Sequence, residues 1–217
     1  MISEPTQLQL ADLAIDQTKP LMICDVDEVV VHFTSAFENF LDERGLWLDP
    51  ASLALNGNVK KASDNSTISQ HIVEMLIDEF FVERTRTLKP IAGAIDALTT
   101  FGQTANIVML TNLPHFAKSD RTANLQELGL SFPIITNSGP KGPAIKHLAT
   151  LTKGEIVFVD DSPGFISSAY EYAPHVHLIH FLHDHRFAAH TPHYDFVSLR
   201  TSNWAEAAPH INTILRL

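Results

Sequence analysis

The first apolar run of the chain ends in two carboxylates spaced two apart, Ile23-Cys24-Asp25-Val26-Asp27-Glu28-Val29. Two more apolar runs end in polar groups: Ile107 to Leu110 leads into Thr111-Asn112, and Ile156 to Val159 leads into Asp160-Asp161-Ser162. Pro140-Lys141-Gly142 opens a helical pattern between them. Four carboxylates gathered in a partly buried cleft repel one another unless a cation compensates them. With oxygen ligands and neither Cys nor His at these points, Mg²⁺ is the natural ion, since it takes one or two carboxylates together with water and substrate phosphate. Lys141 would neutralise a carboxylate nucleophile and an incoming phosphoryl group, while the Thr111 hydroxyl and backbone N–H groups, Asn112 included, hold phosphate oxygens. A carboxylate nucleophile gives an aspartyl-phosphate, which splits one hard hydrolysis into two easier steps. A second carboxylate then protonates the leaving oxygen and later deprotonates water.

These residues need a scaffold that sets them side by side, and the pattern predicts one. Short continuous apolar runs (Leu21 to Cys24, Ala105 to Leu110, Pro133 to Thr136, Ile156 to Val159, Val176 to Phe181) suit strands buried on both faces of a parallel sheet. Pro90 to Phe101, Pro114 to Leu128, Pro140 to Leu151 and Pro163 to Tyr172 read as intervening helices, each with proline where its missing N–H costs nothing. The fold class expected is α/β, a Rossmann-like parallel sheet flanked by helices. In such sheets ligands bind at the carboxyl ends of the strands, where the polar groups named above fall.

Residues 33–88 interrupt the rhythm. Phe33 to Arg44 and Thr67 to Arg86 carry apolar residues at helical spacing, with Asn65 or Ser66 available as a cap, and Asn56-Gly57-Asn58 and Ser63-Asp64-Asn65 mark turns. The expectation is a small helical cap inserted into a core made of residues 1–32 and 89–217. After Tyr194 a short extended piece precedes a helix begun by Ser202-Asn203, with Trp204, Ile211, Ile214 and Leu215 facing inward.

A net charge of −10 argues against nucleic acid or an anionic membrane as partner, because both reward a basic surface. Cys24 is the single cysteine, so intrachain disulfides and multi-cysteine metal sites are excluded. The N-terminus lacks the positive and apolar regions of a secretory signal, and no apolar run approaches the roughly 20 residues of a membrane span. A cytoplasmic location is expected, and a homo-oligomer is left open.

Together the four motifs resemble the haloacid dehalogenase superfamily in its phosphatase branch. The pattern there is strand then Asp-x-Asp, strand then Thr or Ser, a downstream Lys, and strand then paired acids; residues 21 to about 181 match it in order. The resemblance implies Asp25 as nucleophile and Mg²⁺ ligand, and Asp27 as acid/base with its backbone carbonyl on the metal. Thr111 and Lys141 would bind phosphate, Asp161 would coordinate the metal directly, and Asp160 would do so directly or through water. It also implies a cap after the first motif that closes over small soluble phosphorylated substrates. The dehalogenase branch typically lacks the second aspartate, so Asp27 favours phosphate esters, whereas hydrolysis and transfer share the motif. A catalytically quiet binder of a phosphorylated ligand or a protein is the reading from another class.

Several residues carry competing readings. Lys146 rivals Lys141 as phosphate partner, but Lys141 sits at the predicted helix start. Glu28 is expected at the cleft mouth or in solvent. Lys60, Lys61, Arg84 and Arg86 in the insertion are read as solvated surface rather than substrate contacts. Seven histidines lie between His175 and His193; a second metal site is conceivable there, and a strand edge and polar loop satisfied by backbone or water is preferred.

Overall fold

The computed structural model describes residues 1–52 and 54–216. From the N-terminus the elements are α1 (Glu4–Ala11), β1 (Leu21–Cys24), α2 (Thr34–Asp42), β2 (Leu46–Leu48), β3 (Val59–Lys61) and α3 (Gln70–Arg84). Then follow α4 (Ala94–Phe101), β4 (Asn106–Thr111), α5 (Lys118–Glu127), β5 (Ile134–Thr136), α6 (Gly142–Ala149) and β6 (Ile156–Asp160). The chain closes with α7 (Pro163–Tyr172), β7 (His177–Phe181), α8 (His185–Ala188), β8 (Leu199–Thr201) and α9 (Trp204–Leu215).

Six strands form one sheet in the order β5-β4-β1-β6-β7-β8, every pair parallel. Successive strand residues point to opposite faces, and both faces are covered. Met22, Cys24, Ile107, Met109, Val157 and Val159 pack with α4 and α9, while Leu21, Ile23, Val108, Leu110, Ile156 and Phe158 pack with α1, α6 and α7. Double coverage is why these strands read as unbroken apolar runs rather than alternating ones.

Residues 33–88 contain more than helices. The antiparallel pair β2–β3, in register from Leu46↔Lys61 to Leu48↔Val59, lies between α2 and α3. Each strand has three residues, too few for an alternating pattern to stand out. Phe33, Phe37, Phe40, Phe80 and Phe81 form a stacked and edge-on cluster that joins α2 to α3. The second helix begins later than its apolar spacing suggests: Ser69 is the residue before α3, and Asn65, at φ 58°, closes a turn instead of capping. Helix α4 is likewise shorter than the Pro90 pattern, because Gly93 at φ 83° bends the chain just ahead of it. Helix α1, packed beside β5, has too little apolar periodicity to be read from sequence.

Candidate active site

β1 lies at the centre of the sheet, between β4 and β6, where the chain reverses its direction of winding and a crevice opens at the strand ends. Its exit is a tight loop. Asp25 N–H still donates to the Val159 carbonyl at 2.9 Å, and then Val30 and Val31 both donate to the Val26 carbonyl at 2.8 and 3.0 Å. Glu28 occupies the left-handed region at φ 59°, which costs a residue with a Cβ on the order of 1 kcal/mol. Hydrogen bonds offset it: the Glu28 carboxylate accepts from the N–H groups of Phe33 (2.8 Å) and Thr34 (2.6 Å) at the start of α2. Glu28 is thus buried on the wall of the cleft rather than in solvent. Its carboxylate satisfies donors that a helix start otherwise leaves open, and burial pushes its acid constant up against those bonds.

Lys141 stands immediately before α6 with its side chain fully enclosed. Its ammonium lies 2.7 Å from Asp25 Oδ1 and 2.7 Å from Asp160 Oδ2, with the Phe165 ring 4.8 Å below. Burial alone would lower its acid constant, but Asp160 and Asp25 hold it well above the usual lysine value. Lys146 is exposed on α6 and takes no part. Asp160, the last residue of β6, uses its other oxygen to accept from Ser162 N–H at 2.8 Å; burial lifts its carboxyl to about 7 despite Lys141. Asp161 keeps its carboxylate toward the cleft, while its backbone carbonyl lies 3.0 Å from His180 Nε2.

Oxygens of Asp25, Asp160 and Asp161 lie within 4.8 Å of one another, and this is the one acidic or histidine cluster of that kind among the described residues. One lysine faces three carboxylates. Burial first, then Asp160 and Asp25, push the Asp161 carboxyl well above its usual range. An all-oxygen set with uncompensated negative charge fits a hard divalent cation.

Asp27 also lines the cleft, and its side chain is tied to α5: Oδ1 accepts from Arg121 Nη2 at 2.5 Å. Burial raises its carboxyl and Arg121 pulls it back, with a net rise. Arg121, on α5, is completely buried, and its Nε and Nη1 have no partner among the described residues. Sequence reading missed it because a charged residue within a polar stretch looks like surface. The available signal was register: Arg121 shares a helical face with Ala117, Leu125 and Leu128.

Thr111 ends β4, buried and lining the cleft. Asn112 also lines it, but its side chain is taken: Nδ2 donates to the Gly139 carbonyl and Oδ1 accepts from Asn137, both at 2.9 Å. That amide braces the loop leading to Lys141, so it is not free for the phosphate contact expected of Asn112. The histidines do not assemble a metal set among the described residues. His177 meets Glu155 at 3.5 Å and His183 Nδ1 meets the Ser202 carbonyl at 3.2 Å. His180 is buried and pushed down to about 4, burial outweighing its bond to Asp161.

A parallel sheet with an acid trio at its switch point is an open α/β fold of the kind that binds ligands at its strand ends, and comparison with solved structures narrows which one. The fold is that of the haloacid dehalogenase (HAD)-like hydrolases. A haloacid dehalogenase-like family protein from Streptococcus pneumoniae superposes with TM-score 0.62 at 13% identity, over 91% of this chain and 100% of that one. A HAD family hydrolase from Deinococcus radiodurans R1, with bound phosphate and sodium, gives 0.58 at 16%, over 92% and 97%. A HAD-hydrolase from Bacillus subtilis bound to magnesium gives 0.54 at 12%, over 93% and 100%. No family model matches the chain, and no curated protein does.

Proposed function

We propose that this protein is a Mg²⁺-dependent phosphatase that hydrolyses a small phosphate monoester through an aspartyl-phosphate on Asp25. Residues 33–88 would act as a cap on a core of residues 1–32 and 89–217, in a cytoplasmic enzyme. The observation that carries the reading is the buried Lys141 bridging Asp25 and Asp160, with Asp161 and Thr111 beside them at one cleft.

Asp25 attacks phosphorus as the ester P–O bond breaks, and the departing alcohol oxygen takes a proton from Asp27. Asp27, now a carboxylate, removes a proton from the water that attacks the acyl phosphate, which frees Asp25 and inorganic phosphate. Lys141 keeps Asp25 in place. The Thr111 hydroxyl and the Asn112 N–H hold phosphoryl oxygens. Asp25, Asp161 and the Asp27 carbonyl would hold the cation, with Asp160 directly or through water. When bound, Mg²⁺ neutralises phosphoryl charge and quiets the carboxylate repulsion. Asp27 favours esters over carbon–halogen bonds, since a departing halide needs no proton. Phosphate release from p-nitrophenyl phosphate is expected with Mg²⁺ and not with EDTA. Asp25→Asn should lower it by about a thousandfold or more; an unchanged rate in that variant overturns the reading.

A further inference from the structure

The phosphoryl end of the cleft is rich in charge, but its walls are not. The cavity over Asp25 measures about 320 Å³, at the lower end for small-molecule sites. Its sides are Phe33, Leu55, Ile77, Phe81 and Phe165. A second cavity of about 160 Å³ continues past Glu28 and Asp161, lined by Leu48, Leu182 and Phe187. No Lys or Arg lines either cavity among the described residues. Most cationic side chains nearby are committed elsewhere. Lys60 is paired with Asp49, Arg44 with Glu79 and Glu83, Arg84 with Glu43, and Arg86 with Glu127. Arg186, at the far rim, is held by Glu38 and Asp184. Of the acids along the walls, Glu28 is satisfied by the start of α2 and Asp184 by Arg186, while Asp161 belongs to the acid trio that would hold the cation.

We infer that the substrate is a phosphate monoester of an uncharged, apolar or aromatic alcohol, with no second anionic group. This rests on the phosphatase reading. A second phosphate or a carboxylate would have to leave water for walls that offer no lysine or arginine, only His183, whose Nδ1 already meets the Ser202 carbonyl, at a large desolvation cost. A cationic amine finds the wall acids already occupied. An aryl or alkyl group instead buries apolar surface against the phenylalanines.

Two measurements on the full chain with Mg²⁺ separate this inference from the one beneath it. In turnover, phenethyl phosphate is compared with glucose phosphate and a hexose bisphosphate, all esters of similarly poor leaving alcohols. kcat/KM should favour phenethyl phosphate by about tenfold or more. In binding, calorimetry compares benzylphosphonate with phosphonopropionate, which carries a second anion, and should show the same order. Ile77→Lys, which places a cation on the half-buried face of α3, should narrow or reverse it. Turnover or binding that favours the polyanions overturns the inference while the phosphatase stands. The predicted binding order with no ester turned over upholds the selectivity and sinks the phosphatase. No preference in binding overturns the inference whatever the turnover.

Discussion

Arg121 and Asp27 make a pair that must tolerate a change of charge, because Asp27 gives up a proton and takes one back in each proposed turnover. Burial pushes the Asp27 carboxyl up and the guanidinium pulls it down, with a net rise above the usual carboxylate value. Removing the arginine leaves a carboxylate in a poorly solvated site. Arg121→Met is therefore expected to cost about 3 kcal/mol in denaturant unfolding, and Asp27→Asn added to it should restore most of that loss. Simple additivity of the two losses would show that the pair is not coupled. Asp161 is the reverse case, a carboxylate whose charge works against the fold. Asp161→Asn should raise the melting temperature of the metal-free protein, by roughly 2–4 °C per kcal/mol relieved, while abolishing Mg²⁺-dependent turnover. A lower melting temperature would mean that the acid trio is not under repulsive strain.

At the scale of elements, helix packing aims Lys141 at Asp25. Gly142 lies against α7: its N–H donates to Ser168 Oγ at 3.0 Å, and a Cβ there would fall well inside contact with the Ser168 backbone. Gly142→Ala should push α6 off α7, costing about 2 kcal/mol, and should lower kcat as Lys141 moves. Normal stability and rate, measured by thermal unfolding and phosphate release, would show that the approach is not required. Elements with strong periodicity were legible. β1 and α7 match their sequence boundaries. What stayed hidden lacked a local signal. β2 and β3 are too short to alternate, α1 has no clear apolar face, and Asn65 has the composition of a cap but the geometry of a turn. The acid trio, Lys141 and Thr111 were readable because each sits at a strand or helix end. Arg121 was not, since its role depends on which face of α5 the sheet covers. The true place of Glu28 likewise depends on where α2 begins.

Across the whole molecule, the sheet carries the site and ties its chemistry to global stability. His180 on β7 is buried as the neutral imidazole, and its constant falls from 6.5 to about 4 on folding. A depressed constant gives stability that is fully present above pH 6.5 and lost as pH falls toward 4, amounting to about 3 kcal/mol over that window. Unfolding free energies of wild type and His180→Gln, compared at pH 7 and pH 4, should differ by this amount in their pH dependence; parallel curves would remove His180 from the acid response. In the proposed reaction Asp25 is phosphorylated in every turnover. The most direct test is to quench Asp27→Asn in acid during Mg²⁺-dependent reaction with a radiolabelled aryl phosphate and to map the label by peptide analysis. The expected result is a base-labile adduct on the peptide carrying Asp25, more abundant than in wild type because its hydrolysis lacks a base. A label on another residue, or none while phosphate is released, would contradict it.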